Sequence, residues 1–252
     1  MDSLEILGCR LDLLDVEEAT QAIMRFAREG SSAQVVTLGT EMVVYAQRDA
    51  AFRTVVNDCA LSLCDTIGVL LVARQRGAAL RERVTGIELV ERLCQEAAAE
   101  SLPVYFFGGA EGVAADAAAI LEVRFPGLIV AGTRHGFFSP EEEPAIVEAI
   151  RSSGAALLFA GLGSPRQELW LSRNLHASRC GAGVGVGGSF DVISGRVKRA
   201  PYVWQRLGVE WLYRLIREPQ RFRRQLALPY FAWLVLLDQL GMRRERKGMN
   251  DT

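Results

Sequence analysis

Residues 155–170, AALLFAGLGSPRQELW, decide how the rest of the chain is read. Ala155 to Ala160 run apolar without a break and stop at Gly161-Leu162-Gly163. An unbroken apolar run of this kind, closed by glycines, suits a strand buried on both faces of a parallel sheet. Ser164-Pro165 then has the chemistry of a helix start, with Ser164 as N-cap and Pro165 at the first helical position. Strand, glycine turn and helix start together place Gln167 and Glu168 at the carboxyl edge of a sheet, where open α/β sheets bind their ligands. An ordinary βα turn has the same spacing. The polar trio Arg166-Gln167-Glu168 in the helix's first turn is what points to a site.

The same rhythm extends in both directions. Downstream and just upstream, the pattern predicts a strand at 104–107, a turn at Gly108-Gly109 and a helix over 111–124. A strand at 128–131, a helix from Ser139-Pro140 through 142–152 and a strand at 181–186 complete this part. Nearer the start, residues 4–14 read as two short strands turning at Gly8-Cys9, followed by a helix from Asp15 to Gly30. A strand at 34–37, a helix at 41–48, a strand at 60–64 and helices at 67–74 and 86–100 follow. Strands alternating with helices imply an α/β, Rossmann-like fold with a largely parallel three-layer sheet. After Gly195 the pattern changes: 196–240 reads as two or three amphipathic helices, interrupted by Pro201, Pro219 and Pro229. The chain therefore divides into an α/β domain over 1–195, expected to carry any catalysis, and a basic helical appendage over 196–252.

Composition supports this division. The 252 residues suffice for one large α/β domain with an appendage, and 50% are hydrophobic. The five cysteines form no C-x-x-C pair, which argues against a disulfide framework or zinc site and for reduced, buried thiols. The N-terminus lacks the basic and apolar regions of a signal peptide, and no apolar run reaches the roughly 20 residues needed to span a bilayer. A cytoplasmic protein is expected, with the membrane surface still accessible to it. The net charge of −1 hides a polarity: 1–195 hold 16 Arg against 25 Asp and Glu, a balance of −9, whereas 196–252 carry +8. A basic tail on an acidic body suits an anionic partner such as phosphates or acidic lipid.

Three predicted strand ends carry polar residues, Thr37, Asp65 and Gln167, and in a parallel sheet such ends converge on one cleft. Asp65, directly after LSLC, is placed for general-base work or, alternatively, as the N-cap of the helix that begins at Thr66. Gly108-Gly109 and Gly187-Gly188 are turns whose backbone N–H groups could approach a phosphate. Residues 183–188 formally match G-x-G-x-x-G, but late in the chain and within what reads as a strand. There is no P-loop, G-x-S-x-G elbow, H-E-x-x-H or D-x-D pair, and His135 and His176 stand alone, so neither metal nor cofactor is expected. In the tail, Arg214, Arg217, Arg221 and Arg224 recur at helical spacing, although Pro219 intervenes. Residues 226–237, LALPYFAWLVLL, suit either a membrane interface or a core helix packed on the sheet.

Together these segments resemble the WecG/TagA/CpsF family of bacterial glycosyltransferases over roughly 4–240. The resemblance is carried by VVTLGTEM (35–42), LCDTIGV (63–69), RVTGIEL (83–89), VYFFGGAEGV (104–113) and HGFF (135–138). GLGSPRQELW (161–170), GVGGSFDVISGRVKRAP (185–201) and GVEWLYRLIREPQRFRR (208–224) complete it. The resemblance implies inverting, metal-independent transfer of a sugar, N-acetylmannosamine or a related hexose or uronic acid, from a UDP-sugar. The acceptor it implies is an undecaprenyl-diphosphate-linked sugar at the inner face of the cell membrane. It implies Asp65 as catalytic base with Thr37 beside it, and Arg83, Gln167 and Asp191 in the donor site. It also implies Arg214, Arg221 and Arg224 as arginines reaching the diphosphates. Gly39 and Phe137 stand where many members carry Asn and Tyr, each removing a hydrogen-bonding group. No nucleic-acid partner is expected, and a homo-oligomer is compatible with the sequence. Two rival readings are a nicotinamide-dependent oxidoreductase, resting on 183–188, and a non-enzymatic nucleotide-binding protein at the membrane, resting on the tail.

Overall fold

The computed structural model describes residues 2–198, 200–201, 204, 210–217 and 226–241. Two strands, β1 (Ser3–Ile6) and β2 (Cys9–Asp12), form an antiparallel hairpin. The main sheet contains β3 (Ala33–Leu38), β4 (Leu61–Cys64), β5 (Val104–Gly108), β6 (Val130–Arg134), β7 (Leu157–Gly161) and β8 (Ala182–Gly185). All its pairings are parallel, in the order β4-β3-β8-β7-β5-β6. The helices are α1 (Val16–Glu29), α2 (Thr40–Ala46), α3 (Ala50–Asp58), α4 (Ile67–Gln75), α5 (Gly86–Glu100), α6 (Val113–Arg124) and α7 (Glu143–Ser153). After them come α8 (Arg166–Ser178), α9 (Ser189–Ile193), α10 (Glu210–Arg217) and α11 (Ala227–Gln239).

The apolar run that opened the analysis is β7, buried along its whole length between β8 and β5. Its side chains alternate between two cores, as the pleat requires. Phe159 packs with Phe106 and with helices α1, α5, α6 and α9 on one side. Leu158 and Ala160 pack with Phe107, Trp170 and helices α7 and α8 on the other. Both faces being covered, an unbroken apolar strand is stable where an alternating one would bury polar groups. The fold is the three-layer α/β arrangement expected, and its helix ends follow local chemistry. Asp15 and Glu18 make a reciprocal capping box at the start of α1, and Gly30 closes that helix in the left-handed region at φ 67°.

Several boundaries differ from expectation. Pro165, not Ser164, occupies the cap position of α8. The hairpin turns at Leu7-Gly8, so that Cys9 already begins β2. Residues 50–58 form α3, unmarked in the sequence reading because its only buried apolar side chains are Phe52 and Val56; Asp49 caps it through the Phe52 N–H at 2.9 Å. The strand expected at 128–131 is β6, displaced toward Thr133 and Arg134, since an edge strand needs no fully apolar run. Pro229 lies inside the first turn of α11, where the N–H it lacks would have no partner in the helix, and so does not interrupt it.

Helix α11 packs on α2 and α4, with Phe231, Leu234 and Val235 buried in the core that also holds the hairpin. Arg76 of the following loop pairs with Asp238 at 2.5 Å, and the Arg48 guanidinium lies 5.2 Å from the Tyr230 ring centre. Tyr230, Trp233, Leu236 and Leu240 remain exposed. Among the described residues no helix is long and apolar enough to cross a membrane.

The hairpin also serves the sheet edge. Asp12, 5% exposed, accepts the Ser62 N–H of edge strand β4 at 2.8 Å and lies 3.4 Å from Arg10. Without that carboxylate the amide would be buried without a partner and Arg10 would lose its anion. Asp12→Ala is therefore expected to lower unfolding free energy by about 2–3 kcal/mol in urea titrations, with Asp12→Asn, which keeps an acceptor, losing less.

Candidate active site

In a parallel sheet every strand ends on the same edge, and here the ends of β3, β4, β7 and β8 surround a cleft of about 420 Å³. Its volume lies within the range usual for small-molecule sites. Thr37, Asp65, Arg83, Gln167, Gly187 and Asp191 all line it, so the sequence-expected residues of five separate segments meet in one place. Helices α2, α4, α5 and α9 begin at this rim, at Gly39, Thr66, Thr85 and Gly188. Helix starts present unpaired N–H groups and a partial positive charge, which with the Arg83 guanidinium suits an anionic ligand.

Asp65 follows Cys64 directly, and the sheet fixes its backbone: its N–H donates to Leu38 O at 3.1 Å. The carboxylate oxygen Oδ1 accepts the Gly86 N–H at 3.2 Å, at the start of α5. The alternative considered from sequence, a cap on the helix that Asp65 itself precedes, is thus replaced by a bond to a different helix. Thr66 holds the N-cap position of α4 without a side-chain cap bond and instead accepts the Thr40 N–H at 3.2 Å. The neighbouring Cys64 thiol is pushed up to about 12, first by burial and then by the Asp65 carboxylate, with the Arg83 charge opposing. It is no nucleophile at neutral pH.

Thr37 is buried, and its hydroxyl donates to Gly185 O at 2.8 Å, just past the last paired residues of the β3–β8 ladder, Val35 and Val184. Gln167, 3% exposed, accepts the Gly187 N–H on Oε1 at 3.0 Å. That amide fits only because residue 185 has no side chain: a Cβ there would lie 2.8 Å from Gln167 Nε2. The first two glycines of the G-x-G-x-x-G match, Gly183 and Gly185, lie within β8, where Leu171, Leu175 and Gln167 fill the space a Cβ would take; only 186–188 form the turn, which leads into the short helix α9.

Gly108 and Gly109 do not line the cleft. A Cβ on Gly108 would lie 2.3 Å from Gly161 O, and the Gly109 N–H is already donated to Gly161 O at 3.0 Å. Close packing of β5 against β7 accounts for Gly108, and a φ of 69° with Val113 2.8 Å from a would-be Cβ accounts for Gly109. Of the two departures from the family pattern, Gly39 lines the cleft, whereas Phe137 is 69% exposed and outside the lining. Arg214 falls on α10, and Arg221 and Arg224 lie outside the described residues. Sequence reasoning missed Trp211 of α10 and Leu228 of α11, which bring the tail to the cleft, and Ser164, which also lines it. The WLYRLIR spacing around Trp211 signalled an apolar helix face without saying where it docks.

Gly185→Ala places a methyl against the Gln167 amide and is expected to cost about 1–3 kcal/mol of stability by overpacking, read as a fall in the urea midpoint with unchanged slope.

With the geometry in hand, the whole chain can be matched. Residues 4–245 match the family described as Glycosyl transferase WecG/TagA/CpsF family, a match that spans the main sheet, the cleft and helices α10 and α11. The chain belongs to the WecG/TagA/CpsF family of glycosyl transferases.

Proposed function

We propose that this glycosyltransferase of cell-surface polysaccharide synthesis moves a hexose-type sugar from a UDP-sugar to a sugar carried on undecaprenyl diphosphate, with inversion. The observation that carries the reading is the meeting of Asp65, Arg83 and several helix starts in one cleft, with tail residues Trp211 and Leu228 at its wall. In this reaction an acceptor hydroxyl attacks the anomeric carbon as the bond to the UDP oxygen breaks on the opposite face. Asp65 takes the hydroxyl proton, a task for one positioned carboxylate. Thr37 stands beside it, and its hydroxyl oxygen is held by the bond to Gly185 O. The departing UDP gains negative charge, which Arg83, the rim N–H groups and the tail arginines Arg214, Arg221 and Arg224 neutralise. Gln167, Gly187 and Asp191 face the nucleotide end.

The acceptor is lipid-linked, so the enzyme works at the inner membrane surface. Two features support that placement: the +8 balance of 196–252, and the exposed row Tyr230, Trp233 and Leu236 on α11 with Leu240 at its C-cap. The family match over residues 4–245 favours the transferase over the oxidoreductase alternative.

The deciding experiment presents the purified chain with several UDP-sugars and a lipid-diphosphate acceptor and measures UDP release. Asp65→Asn keeps an acceptor for the Gly86 N–H, so it is expected to preserve the melting temperature while lowering turnover by about 10²–10⁴-fold. Near-normal turnover in that variant would assign Asp65 a purely structural role.

Trp233→Ser with Leu236→Ser removes exposed apolar surface without touching Phe231, Leu234 or Val235. Binding to vesicles containing acidic lipid, measured by sedimentation, is expected to weaken by about tenfold or more with the fold intact.

A further inference from the structure

Next to Gln167 on α8 lies Glu168, a carboxyl 1% exposed that the reaction described above does not use. Both its oxygens are shut off from solvent, and neither has a well-aligned hydrogen-bond partner. The polar side chains that act on it are Gln167 and Ser164, both on the cleft wall. From the sheet it is faced by Gly185 of β8, where a Cβ would lie 3.3 Å from Glu168 Oε1, while the residue's backbone carbonyl accepts the Gln34 side-chain amide of β3 at 2.9 Å. No cation stands among these neighbours. Burial pushes the carboxyl above the usual glutamate range, Gln167 and Ser164 offsetting only part of this.

The orientation of Gln167 makes this position consequential. Its Oε1 is committed to the Gly187 N–H at 3.0 Å, which turns Nε2 toward Gly185 and the side where Glu168 Oε1 lies. Gly187 in turn sits at φ 53° on the cleft wall. We propose that Glu168 is a positioning residue for the nucleotide end of the cleft: its buried carboxyl steadies the Gln167 amide and the Ser164 hydroxyl, so that Gln167 holds the Gly187 turn in its ligand-receiving shape. In the neutral form the carboxyl does this without setting a negative charge behind a wall that faces phosphates. The inference rests on the sugar-nucleotide reading of the cleft.

Two variants of the full chain separate this role from packing. Glu168→Gln copies the neutral form and keeps its hydrogen-bonding groups; Glu168→Leu fills similar space without them. UDP affinity by titration calorimetry is expected to stay within about threefold in Glu168→Gln and to weaken by about tenfold in Glu168→Leu. Exchange of the Gly187 amide proton, followed by NMR without ligand, is expected to match wild type in the Gln variant and to quicken by about tenfold in the Leu variant. The pH dependence has a definite sign. A carboxyl raised in the folded state contributes stability that is whole below its unfolded value and is lost as pH rises through its folded value. Glu168→Gln has no such loss, so its stability advantage over wild type grows with pH. Wild-type affinity and wild-type Gly187 exchange in Glu168→Leu would overturn the proposal, as would a Gln variant whose Gly187 exchange quickens by as much as the Leu variant's. If Glu168→Leu fails to fold, the Gln variant decides by its Gly187 exchange and its pH–stability curve. A wild-type chain that binds no UDP would refute the nucleotide reading, and the ligand-free exchange comparison would still decide the role of Glu168.

Discussion

A strand covered by helices on both faces can present polar groups to a ligand only where it ends. That constraint governs this molecule. β7 is buried over all of its residues, and β5, β4 and β8 are likewise buried throughout. Polar side chains in the sheet interior would cost more than most hydrogen bonds return, so chemistry is displaced to the carboxyl edge. There the chain leaves each strand for a helix, and backbone N–H groups are left without partners inside the helix. The same displacement supplies the side chains and the positive end of the helix dipoles at one rim.

The βα rhythm was legible because its signals are local. A continuous apolar run, a glycine turn and a helix start lie within a few residues of one another, as in residues 155–166, and the helix over residues 86–100 has the bounds expected of it. That Thr37, Asp65 and Gln167 lie on one edge follows from strand ends in a parallel sheet; that they share one cleft follows from the strand order β4-β3-β8-β7, which no local signal carries. What escaped the sequence depends on distant neighbours. Gly108 looks like a phosphate turn until Gly161 is placed 2.3 Å from its would-be Cβ. Asp65 looks like a cap for its own helix until α5, which begins at Thr85-Gly86, is brought against it. Glu168 resembles any acidic residue of a first helical turn until β8 closes over it. Edge strand β6 differs from expectation in its bounds, and helix α3 has no expected counterpart, for the opposite reason: elements that pack on one side carry a weaker apolar pattern.

The tail shows why a single compositional reading was insufficient for residues 226–237. They were open to a core-helix or an interfacial reading, and α11 has a face for each. Phe231, Leu234 and Val235 fall at helical spacing and complete the core beside α2 and α4. Tyr230, Trp233 and Leu236 fall on the remaining arc and stay exposed. A helix apolar all round has no net amphipathic signal, so its two uses become separable only once the packing partner is known. Because one face is anchored by core contacts and by Arg76 with Asp238, the exposed row is held in fixed relation to the cleft that Leu228 of the same helix lines.

The side chains proposed for the site share one further property, which concerns order rather than chemistry. Thr37 bonds to Gly185 O across β3 and β8, Asp65 to the Gly86 N–H at the start of α5, and Gln167 to the Gly187 N–H after β8. In each case a side chain from one segment uses a hydrogen bond on the backbone of another. A surface residue would keep its rotamer freedom and lose it on ligand binding, whereas these residues lose it on folding. The cost is carried by the packed sheet, which is rigid for its own reasons. A reaction that needs a base, a leaving-group charge sink and a nucleotide wall in fixed register benefits from that transfer, because ordering completed during folding need not be repeated in each catalytic cycle.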